Sequence, residues 1–173
     1  GSGFIKQILG DSVVELRGEE NASFGGINPE PIDKNMALTM QTVRQIKADF
    51  ALVTDGDADR IGAVDEQGNF VNSHQIFSLI LRHLVRHKKL RGDVVKTVST
   101  TQMINNIARS FDLPIVETQI GFKYICEKFL SGQQLMGGEE SGGIGIAHHV
   151  YERDGLLCGL LIAELVALHQ KPL

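Results

Sequence analysis

Apolar, β-like runs alternate with segments of helical spacing almost from end to end, and this alternation constrains the fold more than any other feature. It argues for α/β architecture with mixed, largely parallel sheets, because joining parallel strands takes a crossover that is usually a helix. Ser12-Val13-Val14-Glu15-Leu16 reads as a short strand, and Gly25 to Pro31 as a loop in which Pro29 and Pro31 disfavour regular structure. Asp33 to Lys47 has helical spacing through Met36, Met40 and Val43, with Asp33 placed to cap it. A strand over Ala48–Val53 follows, then a hairpin of Ile61–Val64 and Asn69–Val71 around Glu66-Gln67-Gly68. A second unit opens near residue 72, where Asn72 or Ser73 can cap a helix through Ile76, Leu79, Ile80, Leu84 and Val85. Beyond it the pattern predicts strands at Asp93–Val98, Pro114–Val116 and Gln133–Met136, and helices at Gln102–Ser110 and Gly121–Leu130. A glycine-rich loop over Gly137–Gly145 and an apolar helix over Asp154–His169 complete the chain. The expected units are therefore residues 1–71 and 72–173, both α/β.

Thr54-Asp55-Gly56-Asp57-Ala58-Asp59-Arg60 carries the clearest chemistry. Three carboxylates so close repel one another unless something positive sits among them. Hard oxygen ligands on a tight loop suit Mg²⁺ or Ca²⁺ better than a soft metal. An arginine directly behind them is useful if the metal's other partner is a phosphate. Rival readings stay open here. An EF-hand would use Asp55, Asp57, Asp59 and Glu66, but puts Arg60 where the loop needs glycine. An aspartyl nucleophile attacking phosphate leaves the third Asp and Arg60 without a task. A plain solvated acidic turn needs no function at all.

Gly137-Gly138-Glu139-Glu140-Ser141-Gly142-Gly143 is the second constellation. Its paired carboxylates would repel a phosphate, so it suits sugar hydroxyls; a flexible turn is the bland alternative. Lys123, after Gly121-Phe122, could meet a phosphate or transfer a proton, or simply be a surface lysine. In Glu152-Arg153-Asp154-Gly155, Asp154 reads as an N-cap and Arg153 as either solvated or facing a ligand. His148 and His149 lack ligand company, and Ser73-His74 are helix neighbours that do not face each other.

Composition excludes several classes. The net charge of −4 argues against a general nucleic-acid-binding surface. The basic run Arg82 to Arg91 reads as the solvated side of a helix. Leu156 to Leu168 is too short to span a bilayer and contains Glu164. Nothing resembles a signal peptide, and Cys126 and Cys158, without a CxxC, read as reduced thiols; the expected location is cytoplasmic.

Together, Asp55-Gly56-Asp57-Ala58-Asp59-Arg60, Gly121-Phe122-Lys123, Gly138-Glu139-Glu140-Ser141-Gly142 and Glu152-Arg153-Asp154-Gly155 resemble the α-D-phosphohexomutase family, which includes phosphoglucomutase and phosphomannomutase. Members of that family are built as four domains around one cleft. The resemblance implies that residues 1–71 are the second, metal-binding domain without its first strand, and 72–173 the third, sugar-binding domain. It further implies Mg²⁺ on Asp55, Asp57 and Asp59, with a phosphoserine as the remaining ligand and Arg60 at that phosphate. Gly121, Glu139 and Ser141 would contact the sugar, and Lys123 and Arg153 would be basic active-site residues. The implied reaction interconverts hexose 1-phosphate and 6-phosphate through a bisphosphorylated intermediate, with a glucose 1,6-bisphosphate-type activator and a phosphoglucomutase-like leaning. Neither the phosphoserine loop of an N-terminal domain nor the phosphate clamp of a C-terminal one is in the sequence. The chain alone is therefore expected to be inactive, with a non-catalytic Mg²⁺- or sugar-phosphate-binding module as the alternative.

Overall fold

The computed structural model describes residues 1–173. Two sheets are present: a three-stranded one in the order β1-β2-β3 and a four-stranded one in the order β5-β4-β6-β7. The first comprises β1 (Phe50–Thr54), β2 (Ile61–Asp65) and β3 (Phe70–Val71), all antiparallel. The second pairs β4 (Asp93–Thr97) in parallel with β5 (Ile115–Thr118) and β6 (Gln134–Gly138), while β7 (Ile144–Ile146) joins β6 antiparallel. The α/β class holds; parallel pairing is confined to the second sheet. The first sheet departs because β1 and β2 are joined by only the acidic loop, too short for a crossover.

Six α-helices accompany the strands: α1 (Phe4–Leu9), α2 (Ala37–Ile46), α3 (Ser73–Arg86), α4 (Gln102–Ser110), α5 (Phe122–Phe129) and α6 (Gly155–His169). Asn72 caps α3 reciprocally: its side chain accepts from the Gln75 amide at 3.0 Å, and the Gln75 side chain accepts from the Asn72 amide at 2.9 Å. Asp154 caps α6 by accepting the Leu157 amide at 2.8 Å. Asp33 caps nothing; it lies in a 3₁₀ turn over Asp33–Asn35, and α2 starts only after the buried Met36. The strand expected over Ser12–Leu16 is also absent. Gly10–Ser12 is a 3₁₀ turn, and Val14 stands 64% exposed, because no strand edge receives this segment. The glycine-rich segment is less of a loop than its composition suggests, since Gly137 and Gly138 belong to β6 and are buried.

The main core joins the two sheets. Ile61, Ala63 and Val71 from the first pack with Ile76, Phe77 and Leu81 of α3 and with Cys158 and Ile162 of α6. α6 is apolar around most of its circumference because it touches β1 and β2 as well as β7 and α3. This helix fixes the acidic loop, on one sheet, against the glycine-rich loop on the other.

Candidate active site

The acidic segment is the connection of the β1–β2 hairpin, spanning from Thr54 to its cross-strand partner Ile61. Asp55 organises it. One carboxylate oxygen accepts the amides of Asp59 (3.0 Å) and Arg60 (3.1 Å), and the other accepts Arg60 Nε at 2.6 Å. Ala58 is driven to φ +64°, and its carbonyl accepts the Gly155 amide at 3.1 Å, tying the loop to the start of α6. Asp55, Asp57 and Asp59 each offer an oxygen within 4.8 Å of the others, with Asp55 buried, Asp57 exposed and Asp59 between.

Charge separates these carboxyls. Burial works against ionisation of Asp55, but its hydrogen bonds from Arg60 outweigh that and hold it below the usual range. Asp59 is pushed up to about 6 by burial, and by the charges of Asp55 and Asp57 against the opposing pull of Arg153. The cluster is short of positive charge in spite of two arginines, and its donors are all hard oxygens; this donor set fits a small hard cation.

The second loop is built to meet the first. After β6 it turns through Glu139–Gly143, and the Gly142 carbonyl accepts the Ile61 amide at 3.1 Å. Arg60 and Gly143 form an antiparallel bridge at the same place. A Cβ on Gly142 would lie 2.9 Å from the Ile61 carbonyl oxygen, at a φ of +99° that disfavours any side chain. A Cβ on Gly143 would lie 2.4 Å from Cδ of Arg153, so this glycine makes room for that arginine.

Arg153 spans the two loops. Its Nη2 is 2.6 Å from Asp59 Oδ2, and its guanidinium lies over the Phe122 ring, 5.6 Å from the centroid. Buried Glu139 accepts the Gly121 amide at 2.9 Å. Burial pushes its carboxyl up, against the Gly121 hydrogen bond, and the charge of Glu140 adds to the push. Ser141 is half-buried within this turn. Lys123 is exposed, with its ammonium 4.9 Å over the Tyr124 ring, and forms no ion pair with either loop. Asp55, Asp59, Arg60 and Arg153 are thus connected through direct contacts, with Asp57 beside them and Gly121 bonded to Glu139 in the second loop, whereas Lys123 stands apart on the first turn of α5.

Several supporting contacts were not read from the sequence. Glu30, from the Gly/Pro loop, comes within 3.5 Å of Arg60. Glu140 is fastened rather than free: Thr97 (3.3 Å) and Ser99 donate to its carboxylate, and Ser73 donates to its carbonyl at 2.5 Å. Burial opposes ionisation there, but these hydroxyls hold its carboxyl below the usual range. Fully buried Lys96 sits beneath, 3.1 Å from both the Thr100 carbonyl and Glu117. The hydroxyl-rich run Thr97-Val98-Ser99-Thr100-Thr101 was the available signal, because it leaves the carboxyl end of a parallel strand, where α/β sheets place their sites.

Comparison with known proteins returns one family. Residues 72–173 match the family model "Phosphoglucomutase/phosphomannomutase, alpha/beta/alpha domain III", and residues 1–68 match the corresponding domain II. A phosphoglucomutase/phosphomannomutase of Thermococcus kodakarensis is 30% identical over 95% of the chain, which spans 36% of that protein. A phosphoglucosamine mutase of Mannheimia succiniciproducens is 32% identical over 96% of the chain and 37% of its own length. The crystal structure of a provisionally assigned phosphomannomutase from Thermus thermophilus superposes with a TM-score of 0.86 at 41% identity, over 90% of this chain and 36% of that one. The chain thus spans little more than a third of the relatives it matches. No helix is long and apolar enough to cross a membrane.

Proposed function

The chain belongs to the phosphoglucomutase/phosphomannomutase family, and from that premise we propose that it forms the metal- and sugar-contacting middle of a phosphohexomutase. The whole enzyme interconverts a hexose 1-phosphate and 6-phosphate through a phosphoserine and a bisphosphorylated intermediate. The boundary near residue 72 then divides a metal-binding part from a sugar-binding part. One observation carries this reading: the glycine-rich loop is hydrogen-bonded to the acidic loop through Ile61 and Gly142, with Arg153 reaching Asp59 across the join.

Asp55, Asp57 and Asp59 hold Mg²⁺, which when bound supplies charge neutralisation at a phosphoryl group. Arg60 keeps the Asp55 carboxylate fixed from Nε while Nη1 faces Glu30, which leaves Nη2 for a phosphate oxygen. Glu139, oriented by the Gly121 amide, accepts sugar hydroxyls, and Ser141 donates to or accepts from a neighbouring one. Arg153 and Lys123 balance the substrate's negative charge; Lys123 does so only after its side chain swings away from Tyr124. Positioning cannot replace a phosphoryl donor, so residues 1–173 alone are inactive until a phosphoserine-bearing segment is supplied.

The test is to incubate the chain with glucose 1-phosphate, Mg²⁺ and a trace of glucose 1,6-bisphosphate, and to measure glucose 6-phosphate by a coupled assay. No turnover, together with Mg²⁺ binding that Asp57→Asn weakens, is expected. Turnover by this chain alone that survives Asp57→Asn would sink the proposal. Glucosamine and mannose phosphates belong in the same assay of the complete enzyme, because the relatives carry those names.

A further inference from the structure

At the far end of α3, about 20 Å from its active-site end, three imidazoles converge. His83 and His87 lie four residues apart on α3 and its C-cap, and His169 ends α6. They line a cavity of about 210 Å³. The Nε2 atoms of His87 and His169 are 3.1 Å apart. Two nitrogens on one tetrahedral Zn²⁺ at the usual bond length stand about 3.3 Å apart. Ring centroids are 5.4 Å apart for His83–His87 and 4.8 Å for His87–His169; imidazoles sharing a tetrahedral metal have centroids roughly 5 Å apart.

His83 supplies the second, independent observation. It is 1% exposed, and its Nε2 faces Glu164 Oε2 at 3.0 Å. An ionised carboxylate can only accept, so the proton of a neutral His83 sits on Nε2 and Nδ1 keeps a bare lone pair. That Nδ1 is buried without any hydrogen-bond partner. A histidine whose second nitrogen is held by a carboxylate is the usual form of a metal-ligating imidazole. Lys88 in turn steadies the other oxygen of Glu164.

We propose that His83, His87 and His169 bind a late divalent transition metal such as Zn²⁺, clamping the C-terminal ends of α3 and α6 together, with Glu164 orienting His83. Two nitrogens already stand at ligand spacing. The third joins them by rotation of the exposed His87 and His169 rings, so the site closes on the metal, whereas the Asp55–Asp57–Asp59 oxygens are already gathered. Arg82, Arg86 and Lys171 also line the cavity and oppose a cation. Their exposure screens them, Arg86 is drawn over the Phe111 ring, and the carbonyl ends of two helices pull the other way.

The experiment is calorimetric titration of the chain with Zn²⁺, repeated with Co²⁺ to read the visible bands of four-coordinate nitrogen ligation. Asp57→Asn, which disables the acidic cluster, should retain this binding, and so should His148→Ala. His87→Ala and His169→Ala, both at exposed positions, should each weaken it by about tenfold or more, and Zn²⁺ should raise the Tm of the parent chain but not of the double variant. Zn²⁺ affinity unchanged in the His87/His169 double variant would overturn the assignment. So would a parent chain that ignores Zn²⁺, including one that takes inorganic phosphate in this cavity instead.

Discussion

Gly142→Ala tests the join between the two loops most directly. At φ +99° an alanine is strained, which costs about 1–3 kcal/mol. Its Cβ would stand 2.9 Å from the Ile61 carbonyl oxygen, a backbone atom that cannot swing aside. Relief of that clash means lengthening the 3.1 Å hydrogen bond from the Ile61 amide to the Gly142 carbonyl. Leaving that buried pair unsatisfied adds roughly 1–3 kcal/mol. A total near 3 kcal/mol corresponds to a fall in Tm of about 6–12 °C for a chain of this size. Gly132→Ala is the control, since Gly132 has a φ of +79° with nothing within 4 Å of a Cβ, so it carries the conformational cost alone. Thermal unfolding followed by circular dichroism should show Gly142→Ala clearly below Gly132→Ala. Equal shifts for the two variants would refute the claim that close approach of the loops, rather than backbone conformation, requires glycine at 142.

Other outcomes follow from named contacts. Hydrogen bonds from Lys88 and His83 hold the Glu164 carboxyl below its ordinary 4.5, so its stabilisation is present above that value and lost as pH falls through the folded-state pKa; Glu164→Gln should flatten stability against pH in that acid window, measured by urea unfolding. Asn72→Ala removes half of a reciprocal cap and should cost about 1 kcal/mol in the same assay, with little change for Asn21→Ala on the exposed N-terminal segment. The Cys126 thiol is pushed up to about 11 by burial and by the Glu152 carboxylate, and Cys158 is fully buried. A thiol reagent at neutral pH should therefore label Cys126 slowly and Cys158 only on unfolding; fast labelling of Cys158 in the folded chain would contradict the packing of α6.

Features whose hydrogen bonds close within a few residues were legible in the sequence. The start of α3 at Asn72 or Ser73, the Asp154 cap on α6 and the bounds of α4 are of this kind, because caps and helical spacing are local. Asp33 misled because a capping residue works only if the helix starts behind it, and here the buried Met36 sets the start instead. Ser12–Leu16 misled for a different reason. A short β-prone stretch becomes a strand only when another strand edge receives it, and that partner is a matter of three-dimensional arrangement.

The candidate site divides the same way. By itself the sequence determined the ligand chemistry, since three alternating aspartates on a short connection crowd hard oxygens together in almost any fold. It also showed glycines clustered around 142 and 143, in a loop suited to sugar hydroxyls or to a plain turn. Only the tertiary structure decided what lies against them: the Ile61 backbone at one glycine and the Arg153 side chain at the other. Residues some eighty positions apart are brought together because α6, apolar on nearly every side, must be covered by both sheets at once. Burial of that helix drives the meeting of the acidic and glycine-rich loops, and which strands cover it has no signature in local sequence spacing.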